Sequence, residues 1–202
     1  MRTSTEITRR PRGRPRAFDR DTVLGAAGQR FRTRGFAATS LDDLAEATGV
    51  NRPSLYAAFG DKRALYLAAL ARTEGWLEES FAGLLRVNLP LRQAVERMLL
   101  YSIDVYLSGE TGPSGCIALN TATVEAVTDP EIAAALRRVL ALEDRMVEAI
   151  LTQAGSPAPQ AHKAIVTGLL HSLSIRARAG ESKEAMMRLA RDCADLVAGP
   201  AA

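Results

Sequence analysis

SLDDLAEATGVNRPSLYAAF, residues 40–59, is the stretch whose reading decides the fold. Ser40 is placed to cap a short helix from Leu41 to Thr48, because its hydroxyl can accept a free N–H of the first turn. After Gly49-Val50 a second helix begins near Asn51. Pro53 falls in its first turn, where a missing N–H costs nothing, and Gly60 ends it. Ala45 is small where two such helices would approach, and Gly49, four residues on, suits a left-handed turn. Leu41, Leu44, Val50, Leu55 and Phe59 are spaced to lock the pair onto a third helix, which is the pattern of a helix-turn-helix. Its second helix can lie in a DNA major groove roughly 12 Å wide, with Asn51, Arg52, Ser54 and Tyr56 facing base edges or backbone. A plain helical hairpin in a core has the same apolar spacing. It leaves Arg52 beside a basic arm without a purpose.

Upstream, a helix is expected from Asp19 to Arg34, with Val23, Leu24, Ala27 and Phe31 on one face and Gly35 as its stop. Residues 1–17 read as a disordered basic arm, since Pro11, Gly13 and Pro15 oppose helix. Arg12-Gly13-Arg14-Pro15 has the composition of segments whose guanidinium groups enter a narrow minor groove; a solvated tail is the alternative. Downstream, Asp61 caps a fourth helix carrying Leu65, Ala68, Ala69, Trp76 and Leu77. Further helical segments fall at about 90–108, 116–127, 130–153, 160–179 and 182–197. The expectation is an all-α chain of about nine helices. Residues 18–62 are expected to form a helix-turn-helix domain, and residues 63–202 a helical body.

Composition agrees. Among 202 residues, 35 are Ala and 25 are Leu, while only 5% are aromatic, which favours helices over a sandwich or barrel. The net charge of +3 is unevenly placed. Residues 1–60 hold eleven Arg against six acids, net +5, and the rest of the chain is net −2. A basic front meeting a polyanion is implied. No apolar run approaches the ~18 residues of a membrane span. No apolar leader precedes the polar N-terminus. Two cysteines, Cys116 and Cys193, are too few for a disulfide framework, and a cytoplasmic protein is the default. His162 and His171 lie nine apart, off a common helix face, so no metal site is expected within one chain. No nucleophile–base pair, acid pair or cofactor loop suggests an enzyme or a cofactor.

GRPR at 13–16, RGFAATSL at 34–41 and LYAAFGDK at 55–62 together resemble the DNA-binding domain of the TetR/AcrR family of bacterial transcriptional regulators. The resemblance implies a three-helix head on a helical body, and it assigns ligand binding and dimerisation to that body, residues 63–202, which forms a homodimer and binds an unknown small-molecule effector. It implies a near-palindromic double-stranded operator as partner, with repression relieved by the effector. Thr39 and Ser40 then match positions that touch phosphate through hydroxyl or backbone N–H groups. Tyr56 matches an aromatic that reaches phosphate, and Lys62 a phosphate-contacting lysine. Ala57 stands where many relatives carry a large polar residue, which gives Arg52 and Ser54 more of the recognition.

The body is less legible. Its last two helices carry small and apolar residues at helical spacing: Ala161, Ala164, Gly168, Ser172 and Ile175, then Met186, Ala190, Cys193 and Val197. The family resemblance makes these the dimer stripe. Trp76, Met98, Tyr101, Tyr106, Cys116 and Asn120 are candidates for the wall of the ligand chamber; packing is the alternative for each. Cys116 opens a helix after the loop 109–115, where the dipole and free N–H groups favour thiolate. It is read either as a sensor of electrophiles or oxidants or as a buried filler. A DNA-binding architectural protein without an effector is the remaining alternative, and a helical enzyme or lipid carrier has no motif in its favour.

Overall fold

The computed structural model describes residues 18–199, and among them there is no strand. The head consists of α1 (Arg20–Arg34), α2 (Leu41–Thr48) and α3 (Arg52–Phe59). Each starts on a side-chain cap: Asp19, Ser40 and Asn51 accept the free N–H groups of the first turns. Ser40 and Asp43 cap each other reciprocally, and Gly49 closes α2 at φ +66°. Two helices can therefore turn sharply within three residues. Val23, Ala27, Phe31, Leu44 and Leu55 form the head's buried core.

The body is built on α4 (Lys62–Leu85), α5 (Leu91–Leu107), a π-helical turn (Ala118–Ala122) running into α6 (Thr123–Glu125), α7 (Pro130–Gln153), α8 (Pro159–Arg178) and α9 (Lys183–Ala198). The first turns of α4 lie inside the head, where Tyr66 meets Phe31 edge-on at 5.0 Å and Phe36 at 4.9 Å. One aromatic cluster thus joins head and body. Where the sequence suggests an ordinary helix over 116–127, the chain forms a π turn. Thr121 sits there, with its hydroxyl bonded to the Ile117 carbonyl and to the Tyr66 hydroxyl.

The stripe on α9 faces the other way from expectation. Met186, Ala190, Cys193 and Val197 are buried within the monomer, where α9 packs along α5. On α8 the small and apolar residues do face out: Ala161, Ala164 and Gly168 are exposed, as are Ile165 and Ile175. Leu196 of α9 is two-thirds exposed as well. A Cβ at Gly168 would meet nothing within 4 Å, so nothing inside the monomer requires glycine there.

Gly115 is different. It sits at φ +64°, and a Cβ there would lie 2.0 Å from the Asn120 amide and 2.7 Å from the Ser174 carbonyl. Its loop is pinned by the N–H groups of Ser114 and Gly115, both donating to the Tyr106 carbonyl at 3.0 Å. Gly49 has a similar φ with open space around it. Gly115→Ala should therefore cost on the order of 2–4 kcal/mol and Gly49→Ala about 1 kcal/mol. Urea denaturation of both variants measures the difference; equal losses would mean that backbone conformation alone matters at Gly115.

Candidate nucleic-acid interface and ligand chamber

The recognition helix α3 is set by two opposed faces. Leu55 is buried against the head core, while Asn51, Arg52 and Tyr56 are exposed and Ser54 is half-buried. The Asn51 side chain accepts from the Ser54 N–H at 2.9 Å, so it holds the helix start as well as facing outward. Arg52 forms an ion pair with Asp42 of α2 across the turn. Both side chains are largely solvated, so a nucleic acid can take over the guanidinium at little cost. Arg12 and Arg14 lie outside the described residues.

Three of the expected phosphate contacts have other partners. Thr39 is fully buried, and its hydroxyl donates to the Gly35 carbonyl at 2.6 Å, so the side chain faces the protein. The Ser40 hydroxyl is engaged with Asp43. Lys62 turns back: its Nζ donates to the carbonyls of Phe36 and Thr39, each at 3.0 Å, and lies 4.4 Å from the Phe36 ring centroid. The basic front is also partly consumed inside the head. Arg20 donates to the Ala58 carbonyl at 2.7 Å and lies over the Phe59 ring. Arg30 pairs with Glu46 and Glu110, and Arg34 with Asp43. Net charge alone could not separate arginines that brace the head from those left outward.

Two adjoining cavities of about 370 and 300 Å³ open between α1, α4, α5 and α7, and both are bounded by Trp76, Leu77, Val105, Tyr106 and Glu143. Met98 and Tyr101 line the larger, and Cys116 the smaller. Trp76 and Tyr101 stack with centroids 6.1 Å apart. Asn120 does not reach either cavity; its amide donates to the Ser114 carbonyl at 3.0 Å and closes the loop beneath. Sequence reasoning missed Glu143 and Arg32, both buried and both on the smaller cavity. Glu143 was detectable: it falls between Val139 and Val147 at four-residue spacing, a carboxylate in a core register.

Cys116 corrects the thiolate expectation. Its Sγ does receive the N–H groups of Ala118 and Leu119, which favour the anion. Burial outweighs them and, with the charge of Glu143 nearby, pushes the thiol up to about 11. Glu143 in turn accepts from His171 Nε2 at 3.0 Å, and this bond raises the His171 pKa above the ordinary 6.5 against the opposing effect of burial.

A helix-turn-helix with an outward recognition helix, carried on a helical body with two adjoining cavities, defines a DNA-binding regulator. The sequence profile of the bacterial regulatory proteins of the tetR family matches residues 23–69. The HTH-type transcriptional repressor ComR of Escherichia coli (strain K12) is 32% identical over 195 residues, spanning 93% of this chain and 92% of ComR. The chain belongs to this family and is a DNA-binding transcriptional regulator whose partners are operator DNA and a second copy of itself. Among solved structures, a cysteine mutant of the TetR family regulator CifR complexed with 26bp double-strand operator DNA is 27% identical. It has a TM-score of 0.75 and covers 90% of this chain and 98% of its own. The reduced form of E. coli NemR has the same fold at 19% identity, with a TM-score of 0.76 and coverage of 91% and 98%. No described helix is long and apolar enough to cross a membrane.

Two outcomes follow for the chamber groups. Native protein should react with a thiol reagent such as iodoacetamide far more slowly at Cys116 than unfolded protein does, because the thiol is both buried and protonated near neutrality. Rapid modification of the native chain would contradict this. A raised His171 pKa stabilises the fold fully below the unfolded value near 6.5, and that contribution fades as pH rises through the higher folded value. His171→Gln should therefore lose more melting temperature relative to wild type at pH 6 than at pH 8.5, as differential scanning fluorimetry would read.

Proposed function

We propose that the chain is a dimeric repressor that leaves a near-palindromic operator when a small molecule occupies the chamber. The observation that carries this reading is the course of α4. It begins with Lys62 bonded to the turn before α2 and ends with Trp76, Leu77 and Phe81 on the chamber wall. A ligand that moves this one helix changes the relation of the two heads in the dimer, and so the fit to half-sites a helical turn apart. Residues 18–62 act as the DNA-binding unit and 63–202 as the ligand-binding and dimerisation unit, with the outer face of α8 as the centre of the dimer contact. The repressor direction draws on ComR, and a cytoplasmic location suits a regulator of this family. The head lends itself to a division of labour: Arg52, with Asn51, Ser54 and Tyr56, meets the major groove, backbone N–H groups near Ser40 meet phosphate, and Arg12 and Arg14 reach the minor groove. Lys62 supports these contacts from behind.

Arg52→Ala should change which operator base pairs matter, because base contacts specify while phosphate contacts position. Titrations against single-base operator variants read this, and an unaltered selectivity profile would reassign recognition to Tyr56 and Ser54. Any effector must weaken operator binding by the same factor by which operator weakens effector binding. A ligand held equally well by free and operator-bound dimer would defeat the proposed release.

A further inference from the structure

Arg32 on α1 is a buried cation without a counter-charge. Its residue surface is 8% exposed, and it lines the smaller cavity. Its Nη1 donates to the Val105 carbonyl at 3.3 Å, and its Nη2 to the Ser108 carbonyl and, at 3.3 Å, to the Ser108 hydroxyl. Nε has no partner, and no carboxylate lies within ion-pairing distance among the described residues. Of the neighbouring arginines, Arg30 holds Glu46 and Glu110 and Arg72 holds Asp21, while Arg178, exposed, donates to the Arg32 and Thr33 carbonyls. A charge removed from water is tolerated when it is paired, and carbonyl dipoles only partly replace a counter-ion. A guanidinium fork is suited above all to a planar oxyanion.

The cavity it faces has Leu24, Trp76, Leu77, Tyr106 and Ile117 as its large apolar wall residues, with Gln29 and Thr73 as neutral polar ones. The acidic wall residue, Glu143, accepts from His171, whose raised pKa favours a proton that offsets the carboxylate charge. Arg72 is taken by Asp21. We propose that the smaller cavity binds a small organic acid, its carboxylate paired with Arg32 and its aryl or alkyl body lying among Trp76, Leu77 and Tyr106. This inference rests on the chamber being the effector site and names the chemistry of its ligand.

The position of Arg32 gives such a ligand leverage. Its side chain ties α1 of the head to the end of α5, and its backbone carbonyl accepts from Arg178 of the dimer-facing helix α8 at 2.7 Å. A carboxylate that reaches the guanidinium from the cavity competes with the Ser108 carbonyl for it. The joint where head, chamber and α8 meet then loosens. Affinity for the acid is thereby coupled to the orientation of α1.

The test uses three probes with one body, phenylbutyrate, phenylbutanol and phenylbutylamine, on the full-length dimer. The acid should raise the melting temperature by several degrees and bind roughly tenfold or more tightly than the alcohol, as a charge-assisted pair requires. Arg32→Met should remove the acid's advantage over the alcohol while leaving alcohol binding in place. Equal binding of acid and alcohol to wild type would overturn the proposal, as would preference for the amine or binding of none of the three. An acid preference that persists in Arg32→Met would overturn it as well. Wild type that binds the acid in the Arg32-dependent manner but keeps its operator affinity unchanged would defeat the release reading while supporting the anion site.

Discussion

The ammonium group of Lys62, held between the carbonyls of Phe36 and Thr39 and against the Phe36 ring, is the constraint on which the rest of the structure depends. Those carbonyls belong to the turn that delivers the chain into α2. Lys62 is the first residue of α4, so one side chain ties the start of the helix-turn-helix to the start of the body's central helix. Four residues on, Tyr66 reinforces the tie with Phe31 and Phe36 on one side and the Thr121 hydroxyl of the π turn on the other. Ten residues further, Trp76 borders both cavities. The head is held to the chamber by packed aromatics and hydrogen bonds, to which ion pairs such as the solvated Arg72–Asp21 add a smaller, salt-dependent contribution.

Polar groups sort by what surrounds them. Arg52 and Asp42 pair in solvent and can be exchanged for a polyanion at little cost. Glu143, already held by His171, and Arg32 with its carbonyls lie where water is scarce, so a ligand that satisfies Arg32 gains more than it would at the surface. Cys116 shows the same rule in reverse: the N–H groups of a helix start favour its thiolate, and the dry surroundings override them. The chamber recognises by buried polarity on an apolar wall, whereas the DNA face recognises through exposed side chains on a preset helix.

Much of the fold was legible because its signals are local. Ser40 and Asp61 cap the helices expected of them, the helix expected near Asn51 starts there, Gly35, Gly49 and Gly60 end helices, and the break at Asp129-Pro130 falls where α7 begins. The site was legible in part: Trp76, Met98, Tyr101, Tyr106 and Cys116 border the cavities. What failed was side-chain direction set by distant partners. The α9 stripe met α5 within the monomer, because an apolar helix face does not say which neighbour covers it. Asn120 closes on Ser114, and Thr39 and Lys62 turn inward, through contacts that no short window of sequence contains. Arg32 was unreadable for the same reason, since its isolation is defined by the carboxylates that are absent around it.

The clamp at Lys62 is tested most directly by the salt dependence of operator binding in Lys62→Met. An internal tie that presets the head predicts weaker operator binding, by about tenfold, and a lower melting temperature. The slope of log affinity against log salt would stay unchanged, since no phosphate contact is lost. A slope reduced by about one, with unaltered thermal stability, would show that the ammonium neutralises a phosphate and would contradict the account.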